Sequence, residues 1–335
     1  MKVDIVGGSL AGLSTARSIK ENNSSIKVVV HEKYKNIGYN HEGRRCGEAH
    51  SMAKKWSKWM PKGKSIFNTI LRAELVIGKK TYNITREPGS AYILNRQEFI
   101  YQLSKDAENL GVEIQTNDKV KSISDLDGDY IVDASGCPSS IKREIGKDKG
   151  IKGITFQQTI EDPNSFIADK IKVVFDGRYG YYWIFPRDPK KKELNVGLGF
   201  CGMFDYNLKD LLEVFKKENN IQGKVNYTLG GLIPIGLQRP FSYKNILFVG
   251  DAGVGTFPFS GQGIFRALIS GDIAGKCIAN GNAKKYSYKV NQKFLRWDSF
   301  GKIYIYSSNI FRKINSELVL NSLTYFTKFA KVAHI

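Results

Sequence analysis

The first thirty-two residues constrain the fold more than any other stretch. Val3-Asp4-Ile5-Val6 is a β-branched run that breaks into Gly7-Gly8-Ser9-Leu10-Ala11-Gly12, and Leu13, Ala16 and Ile19 then recur at helical spacing. A second β-branched run, Ile26 to Val30, closes at Glu32, twenty residues after Gly12. Strand, glycine turn, helix, strand and terminal acid in this order make a dinucleotide-binding unit. Gly7 serves the tight turn, Gly12 lets helix and strand approach, and the helix start offers free N–H groups to a pyrophosphate. Gly8, Ser9 and Ala11 line the same turn, and Glu32 is placed to accept hydrogen bonds from ribose hydroxyls. Ser9 stands at the middle glycine position of GxGxxG; a small residue there still admits the phosphates.

The 335 residues suffice for two layered domains, or for one large α/β unit with an inserted lobe. Fifty-one Lys and Arg against thirty-two Asp and Glu leave a charge of +19. That charge favours anionic partners: phospholipid headgroups, phosphorylated substrates or an acidic redox protein. A dispersed, solvated Lys-rich surface accounts for the same composition. Nucleic acid is the weakest choice, because Lys190-Lys191-Lys192 is the longest basic run and no recognition motif accompanies it. The cysteines, Cys46, Cys137, Cys201 and Cys277, lie far apart without CxxC pairing, so no metal site is expected. Absence of a secretory h-region points to a reducing, cytoplasmic setting, and no run of about eighteen apolar residues offers a membrane span.

The segment Asn245 to Ala252 decides which dinucleotide. It reads as a buried strand ending in Gly250-Asp251, and it continues through Gly261-Gln262-Gly263-Ile264 into a helix bearing Ala267, Leu268, Ile273 and Ala274. An Asp at a strand's carboxyl end holds a sugar or ribityl hydroxyl. A Gly-Gln-Gly helix start presents N–H groups and a positive dipole end to a developing anion. Reduced flavin carries that anion, so FAD is the expected cofactor. Tyr130-Ile131-Val132-Asp133 is a third strand beside the first, turning at Ala134-Ser135-Gly136 near the nucleotide. Asn95-Arg96 opens a further helix, where Arg96 meets either a phosphate or a surface carboxylate. A second GxGxxG match, Gly197 to Gly202, opens no helix directly and has no acid-ending strand behind it. It reads as an irregular strand end, not a nicotinamide site.

In strand geometry Tyr181, Trp183 and Phe185 of Tyr181-Tyr182-Trp183-Ile184-Phe185-Pro186 share one face. Three rings on one face make either an apolar wall for a substrate or an ordinary core face. Cys46 sits in a Gly-flanked loop behind Arg44 and Arg45, which favour its thiolate or bind flavin phosphate. The other three cysteines read as small apolar fillers.

Over roughly residues 1–280 the chain resembles the FAD-dependent group containing aromatic hydroxylases and geranylgeranyl reductases. The carriers are the glycine turn, the Asn95-Arg96 helix start, Asp133-Ala134-Ser135-Gly136 and Gly250-Asp251, in the family's order. Arg45-Cys46-Gly47-Glu48-Ala49 is similar to the Cys-Gly-Glu segment that geranylgeranyl reductases place beside the flavin. Tyr181 to Pro186 with Gly197-Leu198-Gly199 is similar to their prenyl-cavity motif, although Arg178 stands where that motif begins with Pro.

The resemblance implies an α/β (α+β overall) fold: a Rossmann-like FAD-binding domain with an inserted antiparallel-sheet substrate domain, aromatic hydroxylase-like, plus C-terminal helices. Residues 1–60, 94–150 and 236–280 would form a discontinuous FAD domain. Residues 70–92 and 151–235 would form the substrate domain, and 281–335 a helical segment that closes the core or lies on an anionic membrane. The implied reaction is reduction of a polyprenyl carbon–carbon double bond on a lipid precursor. Cys46, Tyr181 and Trp183 are the candidate catalytic residues, and Tyr181, Trp183, Phe185 and Pro186 the substrate wall. Arg45, Cys46, Ala49, Arg96, Ser135, Gly136, Gly250, Asp251 and Gly261 to Ile264 join the glycine turn and Glu32 as flavin contacts. NAD(P)H or a ferredoxin would supply electrons. An aromatic hydroxylase and a flavoprotein electron carrier are the competing readings.

Overall fold

Val3, Ile5 and Val28 to Val30 are buried, and so is Asp4 between them. Burial of both strand faces suits a parallel sheet covered on each side. The computed structural model describes residues 1–38, 47–51, 58–176, 180–201, 207–258 and 260–312. Its first sheet runs β15 (Ser242–Tyr243), β16 (Ile246–Phe248), β9 (Tyr130–Asp133), β1 (Lys2–Val6), β2 (Lys27–His31), β8 (Glu113–Gln115). All neighbours are parallel except the edge pair β15–β16. The strand ending in Asp133 therefore lies beside the first, as its sequence predicts.

Four helices share the core on one face: α1 (Leu10–Asn22), α2 (Arg96–Asn109), α5 (Ile264–Ala279) and α6 (Tyr286–Arg312). Leu13, Ile19, Phe99, Leu103, Leu268 and Tyr286 meet there. The short α3 (Ser140–Glu144) covers the other face through Ile141, against Ile131 and Phe248.

The second sheet has seven strands, in the order β14 (Lys224–Pro234), β10 (Lys152–Glu161), β13 (Glu193–Cys201), β12 (Gly180–Asp188), β11 (Lys170–Asp176), β5 (Arg72–Ile77), β6 (Lys80–Thr85). It is antiparallel except where β11 meets β5, a parallel pairing that corrects the expectation of a fully antiparallel sheet. The link between them is long and passes through other elements, so no hairpin forces the antiparallel choice. A third, three-stranded sheet of β3 (Ala49–Ser51), β7 (Ala91–Leu94) and β4 (Ile66–Thr69) packs against β12 of the second. α4 (Leu208–Glu218) packs Leu212 and Phe215 on the outer face of the seven-stranded sheet, where Phe215 stacks on Tyr182 with centroids 4.4 Å apart.

Gly197 and Gly199 lie in the second half of β13, so the stretch is the strand end it reads as, although its pairing is regular, which corrects only the expected irregularity. The interior glycines are explained by their partners: Trp183 faces Gly197 and Tyr181 faces Gly199 across the pair. A Cβ on Gly197 would come within 2.4 Å of the Trp183 indole. The aromatic strand and the Gly-x-Gly are thus two halves of one cross-strand fit. Within α6, Tyr286, Val290 and Phe294 close the core. The side chains of Tyr304, Phe311 and Arg312, and all of 313–335, lie outside the described residues.

Candidate active site

The glycine turn is closed by packing between chain segments. Gly7 has φ +107°, and a Cβ there would strike the Ala134 carbonyl at 2.7 Å. Ser9 is the N-cap of α1: its Oγ accepts from Gly12 N at 3.3 Å and donates to the Ala134 carbonyl at 3.1 Å. Serine at this point therefore caps the helix and ties it to the β9 turn, which a glycine could not do. The first turn of α1 holds no acid. Among the described residues, the Leu10 and Ala11 N–H groups find no acceptor. Glu32, buried, accepts from Gly8 N at 2.9 Å and Tyr34 N at 3.0 Å, which fixes its carboxylate at the turn with lone pairs to spare.

A row of contacts leads on from there. Gly250 lies against Ala11, and Gly263 lies against the Asp251 carboxylate. Burial pushes the Asp251 carboxyl above its ordinary range, and the charges of Arg96 and Arg266 oppose the shift. Arg96, at the first position of α2, thus acts on a carboxylate at the heart of the site, and Asn95 caps its helix by accepting from Glu98 N. Ser135 turns inward: its N–H and Oγ both donate to Asp133, at 3.0 and 2.7 Å. Gly136 follows with φ +94° and open space at its Cβ position. α5 begins at Gly263 without a side-chain cap and with no acid in its first turn. Its free dipole end faces the loop that contains Asp251, Gly261 and Gln262.

The aromatic strand closes the row. The Tyr181 hydroxyl donates to the Ser260 carbonyl at 2.6 Å and touches Gly261. Tyr181, Trp183 and Phe185 share one face, with centroids 5.8 and 6.2 Å apart in sequence. Trp183 Nε1 donates to Gln157 at 2.9 Å, so the indole's polar edge is satisfied while its ring stays apolar. Phe185 and Trp183 both lie against Gly47. Ala49 packs into the same cluster with Ile70, Ala91 and Ile93. The Pro186 carbonyl accepts from Asn68 Nδ2 at 2.8 Å, which anchors the strand's end. Arg45 and Cys46 lie outside the described residues.

Several residues here escaped the sequence reading. Arg187, buried on β12, donates through Nε to Glu48 at 2.6 Å and through Nη1 to Glu193. Arg266 donates to the carbonyls of Gly255 at 3.0 Å and Val254 at 2.5 Å and pins the Asp251 loop. His50 is buried, its Nε2 finds no hydrogen-bond partner among the described residues, and burial alone lowers its pKa to about 4. None belongs to a spaced pattern, so only the alternation of buried strand residues hinted at them. Of the cysteines read as fillers, Cys277 is buried in the core, but Cys137 and Cys201 are partly exposed, which corrects that reading. Burial and then the Asp251 charge push the Cys137 thiol up to about 12.

These residues fit an adenine dinucleotide carrying a flavin. The orphaned N–H groups of α1 suit the pyrophosphate, Glu32 the ribose, Asp251 and Arg96 the linker, and the α5 start the ring's anionic edge. Among the described residues no His, Cys, Asp or Glu cluster could hold a metal.

Comparison with known proteins agrees. No family model matches the chain. The digeranylgeranylglycerophospholipid reductase of Methanothrix thermoacetophila is 27% identical over 312 residues, which cover 83% of this chain and 77% of that one. The enzyme of that name from Sulfolobus acidocaldarius is 24% identical, covering 82% and 68%. Among solved structures, a geranylgeranyl bacteriochlorophyll reductase-like protein from Thermoplasma acidophilum superposes with TM-score 0.81 at 20% identity, over 96% of this chain and 89% of that one. A flavin-dependent brominase follows with TM-score 0.70 at 16% identity, over 96% and 93%.

Proposed function

We infer that this homologue of the digeranylgeranylglycerophospholipid reductases is an FAD-dependent oxidoreductase that reduces carbon–carbon double bonds of a geranylgeranyl chain. The observation that carries this reading is the Tyr181–Trp183–Phe185 wall, joined by hydrogen bond to the loop in front of α5. A dinucleotide site and an apolar wall therefore meet at one place. When bound and reduced by its electron donor, the flavin would supply the hydride for the double bond.

The chain's own residues do the rest. Glu32 and the start of α1 hold the nucleotide end, while Arg96 and Asp251 orient the middle. The α5 N-terminus lowers the energy of negative charge on the ring. Trp183 and Phe185 seat the isoprenoid chain and exclude water. Tyr181, whose phenol is pushed up by burial, keeps its proton throughout the neutral range. Cys46, in the segment beside Gly47, is the other candidate for handing a proton to the carbon opposite the hydride.

The lipid reading extends to the surface. Among the described residues no helix is long and apolar enough to cross a membrane. The outward face of α6 nonetheless shows Tyr288, Leu295, Phe300 and Ile303. Lys284, Lys285, Lys289 and Arg296 are exposed beside them. Apolar and basic residues on one exposed face suit the headgroup layer of an anionic membrane. The charge of +19 also favours an acidic electron donor such as a ferredoxin, with NAD(P)H as the alternative. Stopped-flow reduction by each donor distinguishes them. Substrate-stimulated oxygen consumption with a phenol, and none with a prenyl lipid, would instead establish the hydroxylase reading.

A further inference from the structure

At the Phe185 end of the aromatic wall lies a cluster of charges that the proposed reaction leaves unused. Glu48, Arg187, Glu193 and Asn195 are all buried, between 0% and 7% exposed. Glu48 Oε2 accepts from Arg187 Nε at 2.6 Å and from Asn195 Nδ2 at 3.2 Å. Arg187 also bonds Glu193, and its guanidinium lies 4.0 Å over the Phe67 ring. Asn195 is fixed in turn by Thr159 Oγ1 at 2.8 Å and pairs with Phe185 in the sheet. Two carboxylates share one buried arginine, so each is held hard in place.

The backbone at Glu48 shows what the cluster holds. Glu48 has φ +58°, a left-handed conformation costly for any residue with a side chain. Such a conformation persists only where surroundings dictate it. Its carbonyl accepts from Leu94 N at 2.9 Å, and the preceding Gly47 lies against the Phe185 ring and the Trp183 nitrogen. We propose that Glu48, clamped by Arg187 and Asn195, is a positioning residue that sets the Gly47 backbone against the Trp183–Phe185 wall and so fixes the width of the chain-binding space. Arg96 acts on Glu48 electrostatically as it does on Asp251, which links the clamp to the nucleotide side.

This inference rests on the prenyl-reductase reading, and its test separates the two. Glu48→Ala leaves the left-handed backbone cost unchanged and removes the clamp; Glu48→Gln keeps an acceptor for Arg187. Binding of a geranylgeranylated lipid to the oxidised holoenzyme is titrated by the flavin absorbance shift. The expected result is a Kd raised at least tenfold in Glu48→Ala and within threefold of the parent in Glu48→Gln, with FAD content and melting temperature of Glu48→Gln unchanged. Should Glu48→Ala not fold, Arg187→Lys replaces it, with a Kd raised at least threefold. Unchanged lipid affinity in the folded clamp variant would overturn the proposal. If the parent protein itself binds no prenyl lipid, the functional reading fails, and iodide quenching of Trp183 decides the clamp alone. Trp183, identified by difference from Trp183→Phe, should become more accessible in Glu48→Ala; equal quenching sinks the positioning role.

Discussion

The Tyr181 hydroxyl donates to the Ser260 carbonyl at 2.6 Å, and this bond ties the aromatic strand of one sheet to the loop that starts α5. The two candidate halves of the site are thereby held in one register. Tyr181→Phe keeps the ring and leaves that carbonyl unpaired, at a cost of about 1–3 kcal/mol. The expected outcome is FAD affinity weakened about 5- to 150-fold at unchanged fold, read by flavin release during thermal melting. Equal FAD retention would show that the bond is incidental.

Gly197 makes room for Trp183. Gly197→Ala places a methyl within 2.4 Å of the indole and 2.9 Å of the Phe156 carbonyl. The expected loss is about 1–3 kcal/mol, with a shifted tryptophan emission. Gly199→Ala meets Thr155 at 3.1 Å and Trp183 at 3.6 Å, so it should cost less. Denaturant midpoints of the two variants check the order.

His50 is buried, and burial lowers its pKa from 6.5 to about 4. The unfolded chain takes up this proton below pH 6.5, whereas the folded chain does so only below about 4. Stability is therefore fully present above pH 7 and declines as pH falls from 6.5 towards 4, by on the order of 2–3 kcal/mol at pH 4.5. His50→Leu should remove that share of the decline. Identical pH slopes in parent and variant would contradict it.

Arg96 acts on Asp251 and Glu48 from the start of α2. A charge-assisted contact to the cofactor's phosphate or ribityl chain is worth about 1.5–3 kcal/mol. Arg96→Gln should accordingly weaken FAD binding by about 10- to 150-fold. A loss under threefold, measured by fluorescence titration of the apoprotein, would reduce Arg96 to a surface ion-pair partner.

The parallel sheet was legible because its signal is local: a glycine turn, one helix and an acid at fixed spacing fall within Val3 to Glu32. The shared face of Tyr181, Trp183 and Phe185 followed from strand alternation alone. The parallel meeting of β11 with β5 was not legible, since pairing between distant segments leaves no pattern in either. Nor was the Glu48–Arg187 bond, which spans 139 residues: Glu48 stands out only as part of the Cys-Gly-Glu segment, and Arg187 carries no pattern. The glycines of β13 stood out twice, by a nucleotide-like spacing and as companions of Tyr181 to Pro186 in the family motif. Their spacing imitates a nucleotide turn, yet their purpose is to lie beneath two rings.

The most direct measurement is the oxidative half-reaction. The purified flavoprotein is reduced anaerobically, geranylgeranylated phospholipid is added, and the flavin spectrum is followed with the product mass. The expected result is reoxidation without oxygen and a product heavier by two hydrogens per flavin turnover. A flavin that stays reduced until oxygen or a quinone is admitted would contradict it.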